Sequence, residues 1–262
     1  MTWADVPLWV SIVVMTSGVA AVVGVGALLL HAAARDPGSG ASARDALTVA
    51  AALGAWLAVA VALAGAGVFR ARETTALPMA VGVGLPLVAG VSFVLLAPAG
   101  RRLARALHPA WAIALQTPRV LGFVFLALMA QDRLPAVFAL RAGWGDVAVG
   151  AAAPLVALAY LSGRSWAPWL GIGFNVAGLA DLAVAVGTGI MAAPGPLRQL
   201  LTTPSTEIMT LLPMIVIPIF LVPLLASVHV FSIRQLLEEA RRPQAVGARP
   251  GHPRSSRPAS AA

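Results

Sequence analysis

The sequence predicts an all-α fold, a polytopic transmembrane helix bundle of about seven spans, and three observations carry that prediction. Of 262 residues, 59% are hydrophobic and 11% charged, with a mean hydropathy of +0.87; soluble domains carry about 25% charged residues. The apolar residues fall in runs of the length, about 20 residues, that crosses a hydrocarbon core of ~30 Å. Trp3, Trp9, Trp111, Trp144, Trp166 and Trp169 cluster near the ends of those runs, as an interfacial aromatic belt does.

The runs lie near residues 7 to 31, 46 to 69, 78 to 98, 110 to 130, 146 to 162, 167 to 191 and 207 to 232. The first ends in small residues, as a cleaved signal peptide would, but MTWADVP lacks a basic leader and the run exceeds the roughly 7 to 15 residues of such a segment, so it reads as a span. Arg44 and Arg70 bracket the second run, and the third leads into GRRLARALH. LQTPRVLGF interrupts the fourth with polar residues. The fifth is the shortest, and the semi-polar QDRLPAVFALRAGWG before it suggests an interfacial or re-entrant piece. Asn175 and Asp181 fall in the sixth, and Glu207 opens the seventh. SIRQLLEEARR continues the last helix, with Glu238 and Glu239 ahead of Arg241 and Arg242 at helical spacing. Residues 1–240 thus form a transmembrane domain, and 241–262, rich in Pro, Arg, Ser and Gly, reads as a disordered basic cytoplasmic tail. No internal repeat stands out.

Arginine counts orient the bundle. With the N-terminus outside, twelve arginines, six of them in the tail, fall on the cytoplasmic side against five outside. Arg-only, Ala-rich usage suggests a high-GC bacterial genome, so the expected location is a bacterial cytoplasmic (inner) membrane, multi-pass, with the N-terminus outside and the C-terminus cytoplasmic. The net charge of +8 sits mostly in short loops and the tail. It suits anionic lipid headgroups in the bilayer, and no nucleic-acid partner is expected.

Two absences exclude whole chemistries. There is no Lys, so a retinal Schiff base, a GxxxxGK phosphate loop and a Ser-Lys dyad all fail. There is no Cys, hence no disulfide, thiolate nucleophile or cysteine metal site. No cofactor or metal is expected. His31, His108 and His229 fall at the cytoplasmic side and read as interfacial, without the HxxxH or HExxH spacing of a metal site.

The candidate site is polar and intramembrane. An ionisable group at the bilayer centre costs ~2.5 to 3.5 kcal/mol on insertion scales, so such groups face the bundle interior and find partners. Arg119 lies about 13 Å and Asn175 about 12 Å from the cytoplasmic ends of their spans, one level near the midplane. Asp181 is about 9 Å further outward, within reach of a long Arg side chain. Asp146 and Glu207 are expected near the outer surface. Gln116 and Arg119 share a helix face, and Gly178, between Asn175 and Asp181, allows a neighbouring backbone to approach. Pro118 removes a backbone bond and predicts a helix kink. Gln116, Arg119, Asp146, Asn175 and Asp181 are therefore the polar-core or ligand candidates, and a small-molecule or ion ligand is the expected partner. The competing interpretation is structural: one Arg-Asp pair and an Asn can simply fix helix register.

GWGD at 143 to 146 has the GxGD form of intramembrane aspartyl proteases, with Asp181 as a second carboxylate. No Tyr-Asp precedes it and no Pro-Ala-Leu follows, so enzyme chemistry is the alternative and not the leading interpretation; a structural or assembly subunit is another. Across QTPRVLGF, LPAVFA, GWGD and NVAGLADL the chain resembles a family of uncharacterised bacterial multi-pass membrane proteins with the pattern Q-x-x-R-x-x-G, LP-x-x-FA, G-x-GD, N-x-x-G-x-x-DL. The resemblance runs from Gln116 to Asp181 and falls on Gln116, Arg119, Gly122, Leu134, Pro135, Gly145, Asp146, Asn175, Gly178 and Asp181. It implies that these residues form one unit and supplies no activity. A small transporter or ligand-binding membrane protein is the function expected.

Overall fold

A computed structural model describes residues 6–240, and among them seven helical segments are long and apolar enough to cross a membrane. The expected tail at 241–262 lies outside the described residues. No strand occurs among the described residues.

The first two spans are α1 (Leu8–Arg35) and α2 (Ala43–Gly65), packed on each other. Ser42 starts α2 with a capping box: its hydroxyl accepts from Asp45 N while Asp45 Oδ2 accepts from Ser42 N, both at 3.1 Å. The same carboxylate is gripped by Arg102 Nε and Nη2 at 3.1 and 2.6 Å, which fastens α2 to the short helix α4 (Pro98–Ala106). That fork, together with burial of Leu103 against Ala46 and Leu29, holds α4 across one end of the bundle. The third span is α3 (Leu77–Leu96).

The fourth span is not one kinked helix. It comprises α5 (Pro109–Ala114), a 3₁₀ turn at Thr117–Gly122 and α6 (Phe123–Met129). Pro118 has no N–H to give to Ala114, and the chain tightens: Arg119 N donates to Gln116 O at 3.0 Å. The expected simple kink at Pro118 is thus corrected to a short length of tighter helix. It fits because Gly150 of α7 (Ala136–Leu161) faces it so closely that a Cβ there would overlap Val120 N and lie 2.8 Å from Arg119 C.

α7 corrects a second expectation. It starts at Ala136, with Pro135 as its N-cap, so that residues 131–135 form a turn and the rest of the segment leading to GWGD is ordinary helix, not a re-entrant piece. Phe138, Ala139 and Ala142 bury one face, while exposed Arg141 bends back to Val137 O at 2.7 Å, keeping its charge off the core. Trp144 consequently lies well inside the span, and its indole is 59% exposed on the flank. It does not mark a span end.

α8 (Ala167–Ala192) follows, then a loop, a 3₁₀ turn at Glu207–Thr210, a π-helical turn at Ile217–Leu221 and α9 (Val222–Ala240). The seventh span therefore runs Ile217–Ala240, not 207 to 232, and Glu207 precedes it. Pro223 cannot donate to Ile219 O, so Trp56 Nε1 of α2 takes that carbonyl at 2.9 Å. The fourth and seventh spans are the most enclosed, 44% and 39% buried against 11% for α2 and α3, so the polar residues they carry lie at the centre of the bundle. α7 and α8 pack on each other, and α9 packs on α8 and α3.

Candidate functional site

Arg119, Asp146 and Asp181 reach one level from three directions. Each lies about 15 to 17 Å, counted by helical rise, from the end of its span nearest the α6–α7 connection. Asp146 is therefore mid-membrane, not near the surface as expected, because α7 begins ten residues before it.

Arg119 is the hub. Its side chain is 1% exposed. Nε donates to Asp146 Oδ1 at 2.7 Å, Nη2 to Asp181 Oδ2, and Nη1 to Gly178 O at 3.3 Å. Nη1 also lies 3.1 Å from His229 Nε2. A guanidinium only donates, so His229 Nε2 accepts. His229 Nδ1 then carries the hydrogen and donates to Asn175 Oδ1 at 2.8 Å. Asn175 Nδ2 donates in turn to Ser232 Oγ at 2.9 Å and Gly171 O at 2.7 Å. The chain of bonds fixes His229 as the neutral Nδ1–H tautomer, and it is fully buried.

Glycines make this possible. A Cβ at Gly145 would overlap Asp181 Oδ1, one at Gly122 would overlap Asp146 Cβ, and one at Gly178 would overlap the His229 ring. Gly178 thus admits an imidazole, where close approach of a backbone was expected.

Of the candidates, the structure brings Arg119, Asp146 and Asp181 into direct contact and joins Asn175 through His229. Gln116 is fully buried but binds elsewhere, donating from Nε2 to Leu225 O at 3.2 Å and tying the 3₁₀ turn to α9. His229 and Ser232 were missed. With the seventh span expected to cover 207 to 232, His229 sat at its cytoplasmic edge; with the span at Ile217–Ala240, it lies in the interior. The signal available was the spacing His229, Ser232, Gln235, a polar stripe at one helix turn's interval that is buried throughout.

Two cavities meet at Asp146. One, of about 300 Å³, has the 69–76 and 193–197 loops and Thr206, Met209 and Thr210 at its mouth, and descends between α3, α7 and α8 past Ala185 and Leu182. The other, of about 440 Å³, lies between α1, the 3₁₀ turn and α9, and every residue lining it belongs to a span. Asp146, Phe125, Leu182, Ile217 and Val222 line both. Asp146 is 17% exposed where Arg119 is 1% exposed, so the cavities meet a carboxylate backed by a hidden guanidinium.

Residues 76–237, more than half of the chain, match the family described as a domain of unknown function (DUF8737). The chain belongs to the DUF8737 family. The matched part runs from α3 to near the end of α9 and contains every member of the Arg119 cluster, whereas α1 and α2 precede it. In this DUF8737 protein the motif residues and the polar centre therefore coincide with the family region. No curated protein and no solved structure matches the chain. It is a multi-pass membrane protein with an all-α bundle.

Proposed function

We propose that the chain is a small transporter or ligand-binding membrane protein whose ligand occupies the cavity ending at Asp146. The observation that carries this is an ionisable side chain, held in place by Arg119, at the floor of a cavity whose mouth is made of loops. Intramembrane charges of this kind mark ligand or ion pathways, and pockets with apolar walls and a few placed polar groups are the usual form of small-molecule sites.

The aspartyl-protease alternative is weaker, because the Arg119 fork stands between the carboxylates with a different nitrogen on each. They engage an arginine where that chemistry needs a shared water. A purely structural subunit would have no use for two cavities at the charged centre. The arginine distribution supports an orientation with the N-terminus outside, and in that orientation the smaller cavity opens outward.

Because the chain has no cysteine, a single introduced thiol reports access cleanly. Ala185 lines the cavity, while Val184 beside it is 47% exposed on the outer surface of the bundle, against lipid. A membrane-impermeant cationic thiosulfonate added outside is expected to label Ala185→Cys and to spare Val184→Cys. Failure to label Ala185→Cys would refute the outward cavity.

A further inference from the structure

The charges in the cluster do not balance. Arg119 contributes one positive charge and Asp146 and Asp181 two negative ones, while His229 is neutral by its hydrogen bonds. The other groups facing the pair add nothing. α8 supplies the Gly178 carbonyl, and the facing parts of α1 and α6 carry no ionisable side chain. Arg70, Arg72 and Glu73 stand at or beside the cavity mouth with Glu207 on the adjoining turn, roughly 15 Å away by helical rise, too far to pair with either carboxylate. A buried net charge of minus one is costly at this depth. It is relieved by one positive unit: a proton on the carboxylate pair, or a monovalent cation beside it.

Geometry decides where that unit binds. Arg119 directs Nε, Nη1 and Nη2 to groups of the protein, and at 1% exposure its side chain offers no surface to an anion. Asp146 gives Oδ1 to Arg119 and turns a partly exposed carboxylate toward walls formed by Phe125, Phe138, Ala142 and Leu182. Aromatic and aliphatic surfaces of that kind favour a cation with an apolar body, and the phenyl rings add cation–π attraction.

We propose that the cavity above Asp146 binds a small lipophilic monovalent cation in exchange for one proton on the Asp146–Asp181 pair. The step is charge-neutral: as one cation enters, the pair releases one H⁺ to water, and as the cation leaves, one H⁺ returns. No bond other than the O–H is made or broken. Only one of the two can be present, since both together would leave the cluster positive. This inference rests on the ligand-binding interpretation of the same cavity.

The test uses the purified full chain in lipid nanodiscs, with benzyltrimethylammonium as the cation and benzenesulfonate as an anion of similar size. Calorimetry in two buffers of different ionisation enthalpy counts protons released per cation bound. The expected results are one proton released, an affinity that falls tenfold per pH unit on the acid side, and no binding of benzenesulfonate. Asp146→Asn and Asp181→Asn should each weaken cation binding at least tenfold and abolish proton release. The second variant is the discriminating one, because Asp181 does not line the cavity and acts through the charge count alone. Cation binding without proton release, or undiminished binding by Asp181→Asn, would overturn the exchange. Binding of benzenesulfonate in place of the cation, with Ala185→Cys still labelled, would overturn the cation assignment while leaving the ligand-binding interpretation in place. No labelling and no binding would remove both.

Discussion

Replacing Arg119 by methionine should cost more stability than any single change to its partners. The guanidinium joins the 3₁₀ turn to α7 through Asp146, to α8 through Asp181 and Gly178 O, and to α9 through His229. Methionine keeps an unbranched apolar stem and loses all four bonds, leaving two enclosed carboxylates with no counter-charge. Breaking a buried ion pair from one side costs about 3 to 5 kcal/mol, or roughly a hundred- to several-thousand-fold in the folded-to-unfolded ratio. Asp146→Asn or Asp181→Asn is different, because one carboxylate still balances Arg119. Trading a charged for a neutral hydrogen bond there costs about 1 to 2 kcal/mol before any relief from removing the excess charge. The combined Arg119→Met, Asp146→Asn, Asp181→Asn variant carries no charge and should recover much of the single Arg119→Met loss. Unfolding of the purified protein in mixed micelles, followed by tryptophan fluorescence, gives the order. An Arg119→Met variant within about 1 kcal/mol of the parent, or a triple variant no better than it, would refute the charge-balance reasoning.

Gly150→Ala should destabilise the protein by about 1 to 3 kcal/mol, since the added methyl meets backbone at Arg119 and Val120, which cannot give way as a side chain can; thermal unfolding of the variant checks it. His229→Ala should strand Asn175 Oδ1 and cost about 1 to 3 kcal/mol, and the same assay should find the His229→Ala, Asn175→Ala pair markedly non-additive. Trp56→Phe removes the indole N–H that satisfies Ile219 O and should cost about 0.5 to 1.5 kcal/mol in the same denaturation, with little change in accessibility at Ala185→Cys.

Seven apolar runs and their order were legible because crossing a bilayer fixes length and composition within a single segment. Their ends were less so where polar side chains could fold back: Arg141 reaches Val137 O from an exposed flank, and α7 begins ten residues earlier than its composition suggests. That one displacement moved Asp146 from the surface to the centre of the membrane. Arg119 facing Asp181 was legible from depth alone, because both are intramembrane charges needing partners. His229 was not, since its role depends on where α9 ends and on the space left by Gly178, which is a relation between two helices and not a property of either. The 3₁₀ turn was half-legible: Pro118 forecast a disturbance, and the missing half was Gly150 across the interface.

Dicyclohexylcarbodiimide offers the most direct measurement, since it adds to protonated carboxyls in apolar surroundings and leaves a mass tag on the residue it meets. On the native protein in membranes, peptide mass spectrometry should find the adduct at Asp146, diminished by benzyltrimethylammonium and absent from Asp146→Asn. An intramembrane pair left unmodified, with adducts only on carboxylates at the ends of the bundle, would contradict a proton-bearing carboxylate at the floor of the cavity.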